Sequence, residues 1–192
     1  MQPGLQIAGP SAIKTAENRF DLFIDSAQTE LLDMDGLRCL IVARFDRVGE
    51  TGRRQVMTLA AASANTDGSW TGSAADMYRS SELSADGLHQ ITLLDAFAAL
   101  IANTDRHQYN VSLFPEDNGY RVAPAYDQLP MAYAPPASGN LRNSAIHQPH
   151  ASVNTLEVWG EAYSLARRFW RRAAEQRLSD SMAAIVREHA SR

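Results

Sequence analysis

Lysine is nearly missing from this chain: of its 18 basic residues, seventeen are arginine and only Lys14 is lysine. Chemistry that needs a lysine therefore has one candidate, near the N-terminus. Cysteine is as scarce. The single Cys39 cannot form an internal disulfide or a multi-thiolate zinc site, which points to a reducing cytoplasm. No apolar run approaches the ~18 residues needed to cross a bilayer, and no basic stretch precedes a signal-type apolar segment. A membrane partner is accordingly not expected. Net charge is −4, so a basic whole-surface nucleic-acid binder is disfavoured.

What remains is an ordinary globular composition, 45% hydrophobic and 21% charged over 192 residues, enough for one domain with a real core. Basic residues concentrate late, at Arg167, Arg168, Arg171, Arg172, Arg177, Arg187 and Arg192. They read as a solvated helix face, with a phosphate-facing patch as the alternative. Residues 1–19 carry Pro3, Gly4, Gly9 and Pro10 without periodicity and read as a loose start.

Strands are predicted at Phe20–Ile24 and Arg38–Phe45, the second preceded by a turn at Asp33–Gly36. The run Leu40-Ile41-Val42 reads as a strand buried on both faces. A short helix is expected over Val56–Ala64, then a long polar excursion over 65–86 with about one helical turn. Leu93, Leu94, Phe97, Leu100 and Ile101 place one apolar face on a helix from Gly87 to Ala102, with Asp86 as cap and Asn103 as stop. A hairpin follows: Val111–Phe114, the turn 115–119 with its Asn118-Gly119 signal, and Tyr120–Ala123. After a Pro-rich loop over 131–153, one helix should begin near Asn154, where Asn154–Glu157 resembles a capping box, with the stripe Trp159, Tyr163, Ala166, Trp170, Ala173. A last helix carries Met182, Ile185, Val186 and His189.

Chemistry concentrates in 103–127. A helix delivers a polar loop holding Asp105, Arg106, His107 and Asn110, and the hairpin returns Asp127 to the same end. Two carboxylates and a carboxamide there form the hard oxygen set that magnesium prefers, completed by substrate phosphates. Solitary His107 and remote Cys39 do not suit zinc. Asp105 followed five residues later by Asn110 also has the spacing of the protein-kinase catalytic loop, and a further Asp after a hairpin matches that fold's metal-binding Asp. A metal-dependent nuclease using Asp105, His107, Asn110 and Asp127, joined by His147 and His150, is a competing reading.

Ala102-Asn-Thr-Asp-Arg-His-Gln-Tyr-Asn110, followed by Ala123-Pro-Ala-Tyr-Asp-Gln-Leu-Pro130, resembles the C-terminal half of HipA-like proteins. These are serine/threonine-type kinases best known as toxins of toxin–antitoxin pairs. Leu40-Ile-Val-Ala-Arg-Phe-Asp-Arg47 is similar to the family's strand ending in R-F-D-R. The segment Tyr126–Met131 and the final Trp-containing helix look most like the YjjJ branch.

The resemblance implies an α+β, mostly helical fold: a protein-kinase-like C-terminal lobe with a short catalytic-loop hairpin. It spans 27–192, after a poorly matched N-terminal segment 1–26. Asp105 would be the catalytic base, and Asn110 and Asp127 would hold Mg²⁺. His107, Gln108, Tyr109, Asn110 and Tyr126 would line an ATP pocket. Ala43, Arg44 and Phe45 would form the hinge whose backbone meets adenine. The resemblance further implies a protein substrate, with an antitoxin or DNA-binding partner. The family's N-terminal lobe, with its nucleotide-pairing lysine, is expected to be largely absent, and Lys14 is not assigned that role. A truncated kinase is one expectation. An inactive remnant or regulatory module binding nucleic acid or a partner protein is the other.

Overall fold

A computed structural model describes residues 25–134 and 146–192. Lys14 and the strand expected at Phe20–Ile24 lie outside the described residues, as does part of the Pro-rich loop. Seven strands and five α-helices alternate along the described chain. They are β1 (Thr29–Met34), β2 (Leu37–Val42), β3 (Arg47–Val48), β4 (Gly52–Arg53), β5 (Met57–Thr58), α1 (Leu59–Ala62), α2 (Trp70–Arg79), α3 (Ala85–Leu100), β6 (Ser112–Glu116), β7 (Gly119–Val122), α4 (Trp159–Ala174) and α5 (Asp180–Ala190). The α+β expectation holds.

β1 and β2 make an antiparallel ribbon in which Met34 faces Leu37. Asp35 and Gly36 between them have φ of 50° and 79°. Two successive left-handed residues match the twist of a tight hairpin, and Asp-Gly supplies them at little cost. The ribbon overturns one expectation. Leu40, Ile41 and Val42 are 59%, 46% and 44% exposed, not buried on both faces, because no second layer of described residues covers them.

α3 is the central element, packed between α2 and α4, with α5 closing over α4. Ile91, Leu93, Leu94, Ala96, Phe97 and Ala98 are buried all round it, as a helix walled in by two others requires. Its cap is Ser84, whose Oγ accepts the Gly87 N–H, not Asp86. Its end differs too. Ala102, not Asn103, takes the left-handed turn at φ 63°, with Asn103 N–H bonded to the Ala98 carbonyl and Ala102 N–H to the Ala99 carbonyl. That is a Schellman closure with alanine where glycine is usual.

The polar excursion 65–86 contains a full ten-residue helix, α2. Its small polar residues hid it, yet Trp70, Ser73, Ala74 and Met77 are buried against α3. The helix expected at Val56–Ala64 shrinks to α1, because Met57 and Thr58 pair with Leu113 and Ser112. The capping box lies at Ser152 and Thr155 on a 3-10 turn, and α4 starts at Trp159, later than Asn154. Its buried stripe is Ala162, Leu165, Ala166 and Trp170, while Tyr163 is 40% exposed. The α5 stripe is as expected, with Val186 and His189 buried and Met182 and Ile185 packed on the core.

Candidate active site

β5, β6 and β7 form a three-stranded antiparallel sheet in that order. Its two-residue turn sits at Asp117-Asn118, where Glu116 faces Gly119. The open end of the β6–β7 hairpin therefore carries Asn110 on one side and Tyr126-Asp127 on the other. Tyr126 ties these sides together. Its hydroxyl donates to the Tyr109 carbonyl (2.7 Å) and accepts from Ser112 Oγ (2.8 Å). Burial, then the nearby charge of Asp127, pushes the Tyr126 hydroxyl above its ordinary pKa, which keeps it a donor. The return segment is also held from behind, since Ala125 exchanges backbone bonds with Asp25 and Ala27.

The loop between α3 and β6 is fixed by its own side chains. Asn103 is 2% exposed, and its Oδ1 accepts the Asp105 N–H at 3.0 Å. Asn110 is 7% exposed, and its Nδ2 donates to the Asp105 carbonyl at 2.9 Å. Residue 105 is thus clamped through both its peptide groups, while its carboxylate stays half exposed. Committing Asn110 Nδ2 to a carbonyl leaves Oδ1 as the atom available to a cation. Arg106 turns away from the loop and pairs with Asp95 of α3 at 2.7 Å. Burial raises the Asp95 pKa against the opposing pull of Arg106. Gln108 turns the other way, its Nε2 donating to Ser73 Oγ of α2 at 2.6 Å. Asn103 Nδ2 reaches Gln128 Oε1 at 3.4 Å, linking the loop to the segment after Asp127.

Asp127 has φ 54°, a left-handed conformation costly for a residue with a Cβ. Strain of this kind persists where surrounding structure over-determines it, and it clusters at functional sites. Here Tyr126 upstream and Gln128 downstream, whose Nε2 donates back to the Tyr126 carbonyl, hold the backbone on both sides.

The structure brings Asp105, Tyr109, Asn110, Tyr126 and Asp127 to one end of the hairpin. Phe45 joins them, 5.9 Å from the Tyr126 ring and 5.9 Å edge-on to Phe114. Ala43 hydrogen-bonds back to Gln28, and Arg44 forms a two-point pair with Asp46 (2.8 and 2.6 Å). That pair holds the Asp46 carboxyl below its usual range, and Arg47 is a more distant partner at 3.8 Å. His107 Nε2 lies 3.6 Å from Asp105 Oδ1, beyond hydrogen-bond range, with its ring beside Tyr109. Gln108 is the predicted site residue whose amide is spent on another element. His147 is not gathered with the others, because its N–H donates to Tyr133, which in turn bonds His189. Among the described residues no group of three or more His, Cys, Asp and Glu side chains is placed to hold a metal. Sequence reasoning gave Asn103 only the role of helix stop, and missed Asp95 and Ser73, which act on the loop from 11 and 35 positions away.

The HipA-like C-terminal domain family matches residues 15–192, nearly the whole chain. The chain belongs to that family. Toxin YjjJ of Escherichia coli (strain K12) is 32% identical over 149 residues, covering 76% of this chain and 34% of that protein. The chain thus spans about a third of the relative. A solved Shewanella oneidensis MR-1 toxin–antitoxin complex, of HipA, HipB and its operator DNA, matches with a TM-score of 0.57 at 16% identity. That match covers 88% of this chain and 50% of the other, and shows a shared fold. No helix among the described residues of this HipA-like domain is long and apolar enough to cross a membrane.

Proposed function

We propose that this HipA-like domain carries the catalytic loop and metal ligands of a protein kinase that transfers the γ-phosphate of ATP to a serine or threonine hydroxyl. The observation that carries this reading is the clamp on residue 105. Two buried asparagines fix its peptide groups, leave its carboxylate to solvent, and leave Asn110 Oδ1 beside the hairpin end that bears Asp127.

Hard oxygen donors suit Mg²⁺, and one carboxylate plus one carboxamide is a sparse set. Such a set fits an ion that arrives with its own water and phosphate oxygens. The ion would neutralise charge on the β- and γ-phosphates. In this reading Asp105 accepts the proton of the substrate hydroxyl. The hydroxyl oxygen bonds to the γ-phosphorus as the bond to the β-phosphate oxygen breaks, and ADP leaves. Asp105 contributes position and a proton acceptor, and the clamp supplies the position. The backbone of Ala43 to Phe45 would meet adenine, with Tyr126 behind Phe45. By analogy with its relatives, the domain works in a toxin–antitoxin pair with a HipB-like, DNA-binding partner.

Titration calorimetry of Mg-ATP tests the site. Wild type should bind, and Asp127→Ala should lose the Mg²⁺-dependent part of the affinity. Equal binding by both would remove Asp127 from the metal site.

A further inference from the structure

α4 has an outer face that the phosphotransfer reading does not use. Arg167, Arg168, Arg171 and Arg172 all lie on it, exposed, while Ala162, Leu165, Ala166 and Trp170 bury the opposite face. None of the four arginines has an ion-pair partner among the described residues, whereas Arg44, Arg79, Arg106, Arg121 and Arg192 all do. Four unpaired guanidinium groups in six residues are a mutually repelling array, in a chain whose net charge is −4. Such an array is relieved by a polyanion, and guanidinium forks match phosphate oxygens in pairs.

The geometry points to the sugar-phosphate backbone of duplex DNA as the partner of this face, contacted without reading sequence. The four arginines span about 7.5 Å of helix axis, a length over which a duplex presents about four phosphate charges. A membrane surface is disfavoured, because an interfacial helix must offer its apolar face to lipid and the apolar face of α4 is packed on α3 and α5. Single-stranded nucleic acid is disfavoured too, since it needs aromatic stacking platforms. Tyr163 is the aromatic residue on this face, and its hydroxyl is tied to the Arg192 carbonyl at 2.9 Å. Phosphate contact needs no pocket, and a convex row of arginines supplies none. The proposal stands apart from phosphotransfer, so either can fail alone.

Fluorescence anisotropy of the full chain with a labelled mixed-sequence duplex tests it. Four phosphate contacts predict a log–log salt slope near −3.6, a loss of affinity of about 150-fold between 50 and 200 mM salt. Replacing Arg167, Arg168, Arg171 and Arg172 together by Gln should abolish most of the slope. Replacing Arg47, Arg53, Arg79 and Arg187 by Gln, the same change in net charge elsewhere, should leave most of it. Gln keeps helix propensity at the exposed α4 positions, and circular dichroism checks that both variants fold. No binding by wild type at low salt would overturn the proposal. So would equal slopes for the two variants, or binding to single strands as tight as to duplex.

Discussion

Replacing Asn110 separates its two duties. Its Nδ2 holds the Asp105 carbonyl at 2.9 Å, and the side chain is 7% exposed. Asn110→Ala removes one buried hydrogen bond, worth about 1 kcal/mol net, and leaves a small cavity, so a total loss of about 1–2 kcal/mol is expected. It also removes Oδ1, and the Mg²⁺-dependent part of ATP binding should go with it. Asn110→Asp behaves differently. An acceptor then faces the Asp105 carbonyl, which should cost about 1–3 kcal/mol of stability, more than alanine does. Yet the new carboxylate is a harder and more charged ligand, so Mg²⁺-dependent affinity should be kept or raised. Chemical denaturation supplies the first readout and calorimetry the second. If Asn110→Asp and Asn110→Ala lose metal-dependent binding alike while both remain folded, Asn110 is only a loop clamp and the ligand assignment fails.

Three further outcomes follow from the same contacts. Burial holds His189 near a pKa of about 4, below its ordinary 6.5, stacked on Trp170 and bonded to Tyr133 at 2.6 Å. The unfolded chain therefore binds the extra proton first, and stability should fall by about 1–3 kcal/mol as pH drops from 6.5 to 4; His189→Gln should flatten that profile in urea titrations. Gly119→Ala should cost about 2 kcal/mol or more, measured by thermal unfolding, because φ is +130° and a Cβ would run into the Glu82 carbonyl oxygen. Arg106→Ala leaves the half-buried Asp95 carboxylate without its cation. Amide exchange over 103–110 should speed up about 5–30-fold, corresponding to ~1–2 kcal/mol of lost local protection.

Periodicity carried the central helix and the last one. The apolar rows of α3 and α5 are long enough for period to decide, and Asp35-Gly36 announced its turn by the φ values only such a pair adopts cheaply. α2 was illegible because it is built from Ala, Ser, Gly and Thr around Trp70 and Met77, so its buried face is smallness rather than hydrophobicity. Leu40 to Val42 misled for the opposite reason: an apolar run signals burial only if another layer covers it, and the ribbon stands off the described core. At the site, the five-residue spacing of Asp105 and Asn110 was legible, since the loop is local. The left-handed backbone of Asp127, the Asn103 clamp and the departure of Gln108 towards Ser73 were not. The Asp127 backbone and Gln108 depend on partners 14 to 35 positions away, and the Asn103 clamp is a two-residue side-chain turn that spacing does not announce.

Paramagnetic broadening locates the cation most directly. Mn²⁺ replaces Mg²⁺ at oxygen sites, and in the presence of ATP it should bleach backbone amide resonances at 105–110 and 126–128 at substoichiometric concentration. Asp127→Ala should restore them. Broadening centred instead on the other carboxylate-rich surface, the cavity lined by Glu82, Asp86, Glu116 and Asp117, would contradict the account.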